Sequence, residues 1–178
     1  MLNRLDFFFS GITKLCGALA CVAMILMLFN VFYDVVMRYV FNDVSIGMQE
    51  LEWHLFATVF LLGTPYAMQK DGHVRVDIFY EAWPDTKKAW INLLGAVVFI
   101  LPFAGLVSYY GIDFSQEAYQ MNEGSGDPGG LPHRWIIKSL IPISFSLMGL
   151  AALGMTIKAL KVLILKEPYP SLDKENLS

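Results

Sequence analysis

The chain has 178 residues, of which 56% are hydrophobic and only 16% charged, against the ~25% charged of an average soluble domain. Four long apolar runs fill most of that length, which leaves no room for a soluble catalytic domain and excludes a nucleic-acid binder. The formal net charge of −3 identifies no partner by itself, but the placement of the charges does.

Residues Met1–Lys14 have helical spacing, with Leu2, Leu5, Phe8, Phe9 and Ile12 on one face. Such a segment suits an amphipathic arm lying flat at the membrane surface; the plainer alternative is an N-terminal extension of the first span. An apolar run of about 18 or more residues crosses a bilayer's hydrocarbon core. The first run covers about 15–37 and reads as an uncleaved anchor, because no small-residue cleavage site follows a short apolar stretch. Cys16 and Cys21 point in different directions on a helix turning ~100° per residue, so they read as small packing residues. Asp34 and Arg38, spaced i and i+4, meet on one side of the helix. They form either a self-satisfied pair or a contact to another subunit.

The second span is expected at about 48–68. Its clean apolar part, Leu55–Met68, is short for a crossing at ~1.5 Å per residue. Either the helix starts near Met48 and carries Glu50 and His54, or it is tilted or partly covered by a partner. Gly63 and Ala67 permit close helix contact, and Pro65 suits a kink near the end. In the next gap Gly72 marks a turn, Val74, Val76 and Ile78 alternate with Arg75 and Asp77 as in an extended stretch, and 79–85 suits a surface helix. The third span, about 89–112, contains Pro102, which removes a backbone bond and tends to bend a helix. A shaped connection, 113–134, is expected from Gly124, Gly126, Asp127-Pro128-Gly129-Gly130 and Leu131-Pro132. The fourth span, about 135–157, has Pro142 in its early turns and Lys138 placed to snorkel outward, and a cytoplasmic tail follows at 158–178.

The basic residues fall in alternate gaps. Arg4, Lys14, Lys70, Arg75, Lys87, Lys88, Lys158, Lys161, Lys166 and Lys174 share one side, whereas Arg38, Arg134 and Lys138 share the other. That bias places the first group in the cytoplasm. The outer side carries Asp43, Glu50, Glu52, Asp113, Glu117, Glu123 and Asp127 and is acidic. The fold class is therefore an all-α integral membrane protein, a single domain over 1–178. It has four transmembrane helices plus short interfacial amphipathic helices, with both termini cytoplasmic. Trp53, Trp83, Trp135 and Lys138 read as membrane-interface anchors.

The span centres carry no ionisable residue, whereas transport pathways and proton relays usually place one at depth. The Gly-rich segment lacks the setting of a phosphate-binding loop. His54, His73 and His133 have no metal-ligand spacing, so neither a metal nor a cofactor is implied. A haem between His54 and His133, or a quinone, remains as the alternative reading of a redox-enzyme anchor. A third reading, a stand-alone transporter or channel, lacks its polar pathway.

Several stretches resemble the small, DctQ-type membrane subunit of tripartite ATP-independent periplasmic (TRAP) transporters. They are Arg38-Tyr39-Val40-Phe41-Asn42, Gln49-Glu50-Leu51-Glu52-Trp53-His54-Leu55-Phe56, and Phe60-Leu61-Leu62-Gly63 running to Tyr66-Ala67. They continue with Gly72-His73-Val74-Arg75-Val76-Asp77, Leu101-Pro102-Phe103, and Gly129-Gly130-Leu131-Pro132 through Trp135, Lys138 and Ile141-Pro142. The resemblance implies a non-catalytic scaffold in a bacterial inner membrane. It would support a large, sodium-coupled, elevator-type subunit and help dock a periplasmic protein that captures an organic acid anion. On that reading Arg38, Asn42, Glu50, Arg75, Asp77, Glu123 and Asp127 are the candidate partner-interface residues.

Overall fold

The structure, a computed structural model, describes residues 2–70 and 83–166, with side chains from Phe9 onward. Four helices make up almost all of it, and the described residues contain no strand. They are α1 (Leu2–Val40), α2 (Ile46–Gln69), α3 (Asp85–Gln120) and α4 (Trp135–Leu165).

Three of these, α1 over Phe9–Val40, α3 and α4, are long and apolar enough to cross a membrane. With its 24 residues α2 has the length, about 36 Å, but Glu50, Glu52 and His54 in its first turns set it apart in composition. The expected second span is therefore met in length and not in composition. The contacts fix the directions of the helices. Gly17 lies against Tyr66, Gly63 against Ala20, and Asn30 Nδ2 donates to the Met48 carbonyl at 2.9 Å, so α1 and α2 run antiparallel. Gly149 faces Ala104, and Gly111 faces Pro142, so α3 and α4 also run antiparallel. The Ser144–Leu61 bond and the cluster that Met68 shares with Ala151 and Ala152 make α2 and α4 parallel.

α4 is the centre, packing against each of the other three helices. Its buried residues include Ala151, Ala152, Gly154 and Ala159. They meet small residues on its neighbours, Ala96 in one cluster and Ala89 in another. Along α1 the buried stripe is Thr13, Cys16, Ala20, Ala23, Asn30 and Asp34, at steps of three or four with one gap at Met27. Small residues let helix backbones approach closely where lipid removes any hydrophobic drive to associate. Large apolar side chains point outward instead. Phe29, Phe32, Phe60, Phe99 and Tyr109 are each at least two-thirds exposed. Such a surface is an aggregation liability in water and an ordinary one against lipid or a membrane partner.

Each of three prolines removes a helical donor, and two of the resulting gaps have a visible answer. Pro65 is buried in α2 and cannot donate to the Leu61 carbonyl; the Ser144 hydroxyl of α4 donates to it. Pro102 follows a π-helical turn, Gly95–Ile100, inside α3, where Leu101 N–H reaches back to the Ala96 carbonyl. The wider turn relieves the clash that a proline makes with the carbonyl four residues before it. Pro142 is buried at the eighth position of α4, deeper than the early turns expected. Gly111 gives its ring room, since a Cβ there would lie 3.1 Å from Pro142 Cδ.

The helices outrun the apolar stretches. α3 continues to Gln120, so Asp113 and Glu117 are helical and the connection shortens to 121–134. α4 continues to Leu165 and includes Lys158 and Lys161, expected in the tail. α1 is unbroken from Leu2, so the arm and the first span form one helix, and Phe9 packs on Gly154 of α4. The stops come from the backbone rather than from hydropathy. Asn42 (φ 54°), Asn122 (φ 50°) and Lys166 (φ 53°) take the left-handed conformation that ends helices. At Asn122 the Glu123 N–H returns to the Ala118 carbonyl at 2.9 Å.

Candidate functional site

The polar groups of the described residues concentrate at the end of the bundle where α2 and α4 begin. There the 121–134 connection folds into a fixed lobe. Pro128 and Gly129 (φ 83°) occupy the centre of a turn closed by Gly130 N–H to the Asp127 carbonyl at 3.0 Å; only glycine or asparagine takes that conformation readily. Two further bonds close the base of the lobe, Ser125 N–H to Leu131 O at 3.0 Å and Arg134 N–H to Glu123 O at 2.9 Å.

Glu50, on the second turn of α2, pins this lobe. It is 6% exposed. Its Oε2 accepts the Leu131 N–H at 2.6 Å, and its Oε1 accepts the Ser125 hydroxyl. Gly130 has to lack a side chain, because a Cβ there would overlap Ser125 and lie 2.8 Å from Glu50 Oε2. Gly47 serves the same packing, since its Cβ would sit 3.3 Å from the Gly129 carbonyl oxygen. The start of α2, capped by Ser45 on the Met48 N–H, is thereby joined to the connection before α4.

Lys138 extends the lock, with its ammonium paired to Glu123 and 4.1 Å from the centre of the Phe114 ring. Arg134 places its guanidinium carbon 5.8 Å from the Trp53 ring centre, within cation–π range. Trp53 in turn lies on His54, with ring centres 4.0 Å apart. Trp135 meets Tyr119 edge-on at 5.3 Å. At the opposite end of the bundle Trp83 lies under Lys87 Nζ at 4.2 Å.

The residues singled out by sequence therefore divide. Glu50, Glu123 and Lys138 come together with the lobe, and Trp53 and Trp135 flank it. Asp127 is exposed at its tip. Arg38 pairs with Asp34 at 2.6 Å, so the local pairing exists in this chain, and Arg38 keeps 38% of its side chain exposed. Asn42 is exposed and supplies the left-handed turn after α1. Arg75 and Asp77, with the extended stretch and most of the surface helix expected there, lie outside the described residues. Sequence reasoning did not single out Ser125 or Asn30, and read Leu131 only as part of the turn-rich connection and of the resemblance. The Gly129-Gly130 pair signals a tight turn but not what it packs on. Asn30 stands four residues before Asp34, which would have marked it as part of the same polar ladder, Asn30–Asp34–Arg38.

This arrangement is one of fixed charges and helix contacts, with no group of three or more potential metal ligands among the described residues. His54 Nδ1 faces the Glu50 carbonyl of its own helix at 2.6 Å. The family model for the DctQ component of tripartite ATP-independent periplasmic transporters matches residues 27–162. The chain belongs to the DctQ family. A comparison with curated proteins gives no match. The DctQ match takes in the Asn30–Asp34–Arg38 ladder, all of α2 and α3, the lobe and nearly all of α4. The DctQ family is a component of a transporter rather than an enzyme, and it works with a large membrane subunit and a substrate-binding protein. The redox-anchor reading finds no support.

Proposed function

We propose that this chain is the small scaffold subunit of a sodium-coupled TRAP transporter for an organic acid anion in a bacterial inner membrane. It enlarges the static body against which the large elevator-type subunit moves, and its lobe end helps to dock the periplasmic substrate-binding protein. The observation that carries this reading is the DctQ match over residues 27–162 on a bundle packed through small residues. A helix group packed through small residues, with one end pinned by the Glu50 and Lys138 contacts, suits a static support.

The docking role rests on the exposed carboxylates near that end, Glu117 and Asp127. Glu50 and Glu123 belong to the internal lock and are not free to serve. Opposite charge across an interface steers association and is screened by salt.

The test is uptake of organic acids into proteoliposomes under an inward sodium gradient, with the binding protein present. This chain alone, the large subunit alone and both together are compared. Uptake only with both establishes the scaffold role, and uptake by this chain alone refutes it. With both present, Glu117→Lys/Asp127→Lys should lower uptake at limiting binding protein. Unchanged uptake would remove the docking role and leave the scaffold role standing.

A further inference from the structure

Beside the lobe, α2, α3 and α4 leave an apolar groove of about 250 Å³. Ala57 and Leu61 line it from α2, Phe114 from α3, and Ile137 and Ile141 from α4. Trp53, Arg134 and Lys138 stand at its lobe end. We propose that this groove is a phospholipid site, in which Arg134 holds the headgroup phosphate and the apolar walls hold the upper part of one acyl chain.

Three observations converge on an anion at the mouth. Arg134 Nε is buried and has no hydrogen-bond partner among the described residues. Arg134 also lines the groove, where the planar fork of its guanidinium suits a phosphate. Arg134 is also the residue that caps α4, and no side chain caps that helix start. The free N–H groups and dipole of a helix N-terminus favour an anion there. Finally, the nearby carboxylates make their hydrogen bonds elsewhere, although the Glu50 charge attracts Arg134. Glu123 holds Lys138, and Glu50 holds Ser125 and Leu131.

The groove decides between a lipid and the other occupants. Between Trp53 and Leu61 it follows eight residues of α2, about 12 Å at the helical rise. A hydrocarbon chain fits along such an apolar slot, whereas a partner helix would seat only single side chains in it. Free phosphate would gain nothing from Ala57, Leu61 and Ile137. Trp53 at the mouth also matches the depth at which tryptophan rings sit among headgroups.

The test uses the complex of both membrane subunits, stripped of lipid and titrated with phosphatidylglycerol under native mass spectrometry. The wild-type complex should retain one lipid that 10-fold dilution does not remove. Arg134→Gln should weaken that retention about tenfold, the size of one lost charge-assisted hydrogen bond. Ala57→Phe, which fills the slot, should abolish it, and Ile136→Phe, off the groove, should leave it intact. Independently of any variant, phosphatidylglycerol with a photoreactive group high on its acyl chain should label 53–61 and 137–141. Equal retention in Arg134→Gln and Ala57→Phe overturns the proposal, as does displacement by millimolar inorganic phosphate. Labelling confined to the outer faces of α1 and α3 also overturns it. So does loss of the large subunit from Ala57→Phe with the lipid still retained, which would make the groove a subunit contact.

Discussion

Replacing Glu50 with alanine removes one acceptor from two donors at once, the Leu131 N–H and the Ser125 hydroxyl. The lobe keeps its own turn at 127–130 and its two closing backbone bonds, but it loses its attachment to α2. The expected result is a several-fold faster amide exchange at Leu131 and Ser125, with the helices unchanged. Gly130→Ala should do the same by a different route, because its Cβ needs the space that Ser125 and the carboxylate occupy. Exchange equal to wild type in Glu50→Ala would mean that the turn alone holds the lobe. Glu50 was legible in the sequence as an important charge but not as an internal one. Its partners lie 75 and 81 residues away, and local periodicity carries no information on such pairs. Arg38 was easier to read, because its partner is one helical turn away.

Between elements, the informative bond is the one from Ser144 on α4 to the Leu61 carbonyl on α2. Ser144 is 3% exposed, and the carbonyl lacks its helical donor because residue 65 is proline. Ser144→Ala should lower the stability of the bundle in detergent by about 1 kcal/mol, the upper range for hydrogen bonds between membrane helices. In a Pro65→Ala background the N–H of residue 65 supplies the missing donor, so the same serine substitution should cost markedly less. The two melting differences form a cycle that isolates the coupling. Identical costs in both backgrounds would show that the hydroxyl does not answer the proline. The existence and order of the helices were legible because long apolar runs and their flanking charges are local signals. Their ends were not, since asparagine and lysine turns rather than hydropathy stop them, and the π-helical turn before Pro102 was read only as a bend.

For the whole molecule the open quantity is the path through the bilayer, and packing bears on it where composition does not. α1 is apolar enough to cross. α2 runs back along it from the Asn30–Met48 bond to the Gly17–Tyr66 contact, about 14 of the 32 residues of the crossing segment of α1. We predict that a helix packed antiparallel in this way itself returns through the membrane, which would put Glu50, Glu52 and His54 among the headgroups at the lobe end. α3 and α4 repeat the antiparallel pairing, so the four helices alternate in direction, and the start of α1 and the end of α4 lie at one end of the bundle. On that prediction the ten-to-three division of basic residues puts that end in the cytoplasm. Reporter fusions before Met1 and after Ser178 should therefore both report the cytoplasm, and a cysteine at exposed Gly126 should react with an impermeant reagent added outside intact spheroplasts. Three crossings, with α2 lying on the surface, would put the two fusions on opposite sides. That outcome would also detach the lobe from α2, because Glu50 and Leu131 could no longer share one end of the bundle.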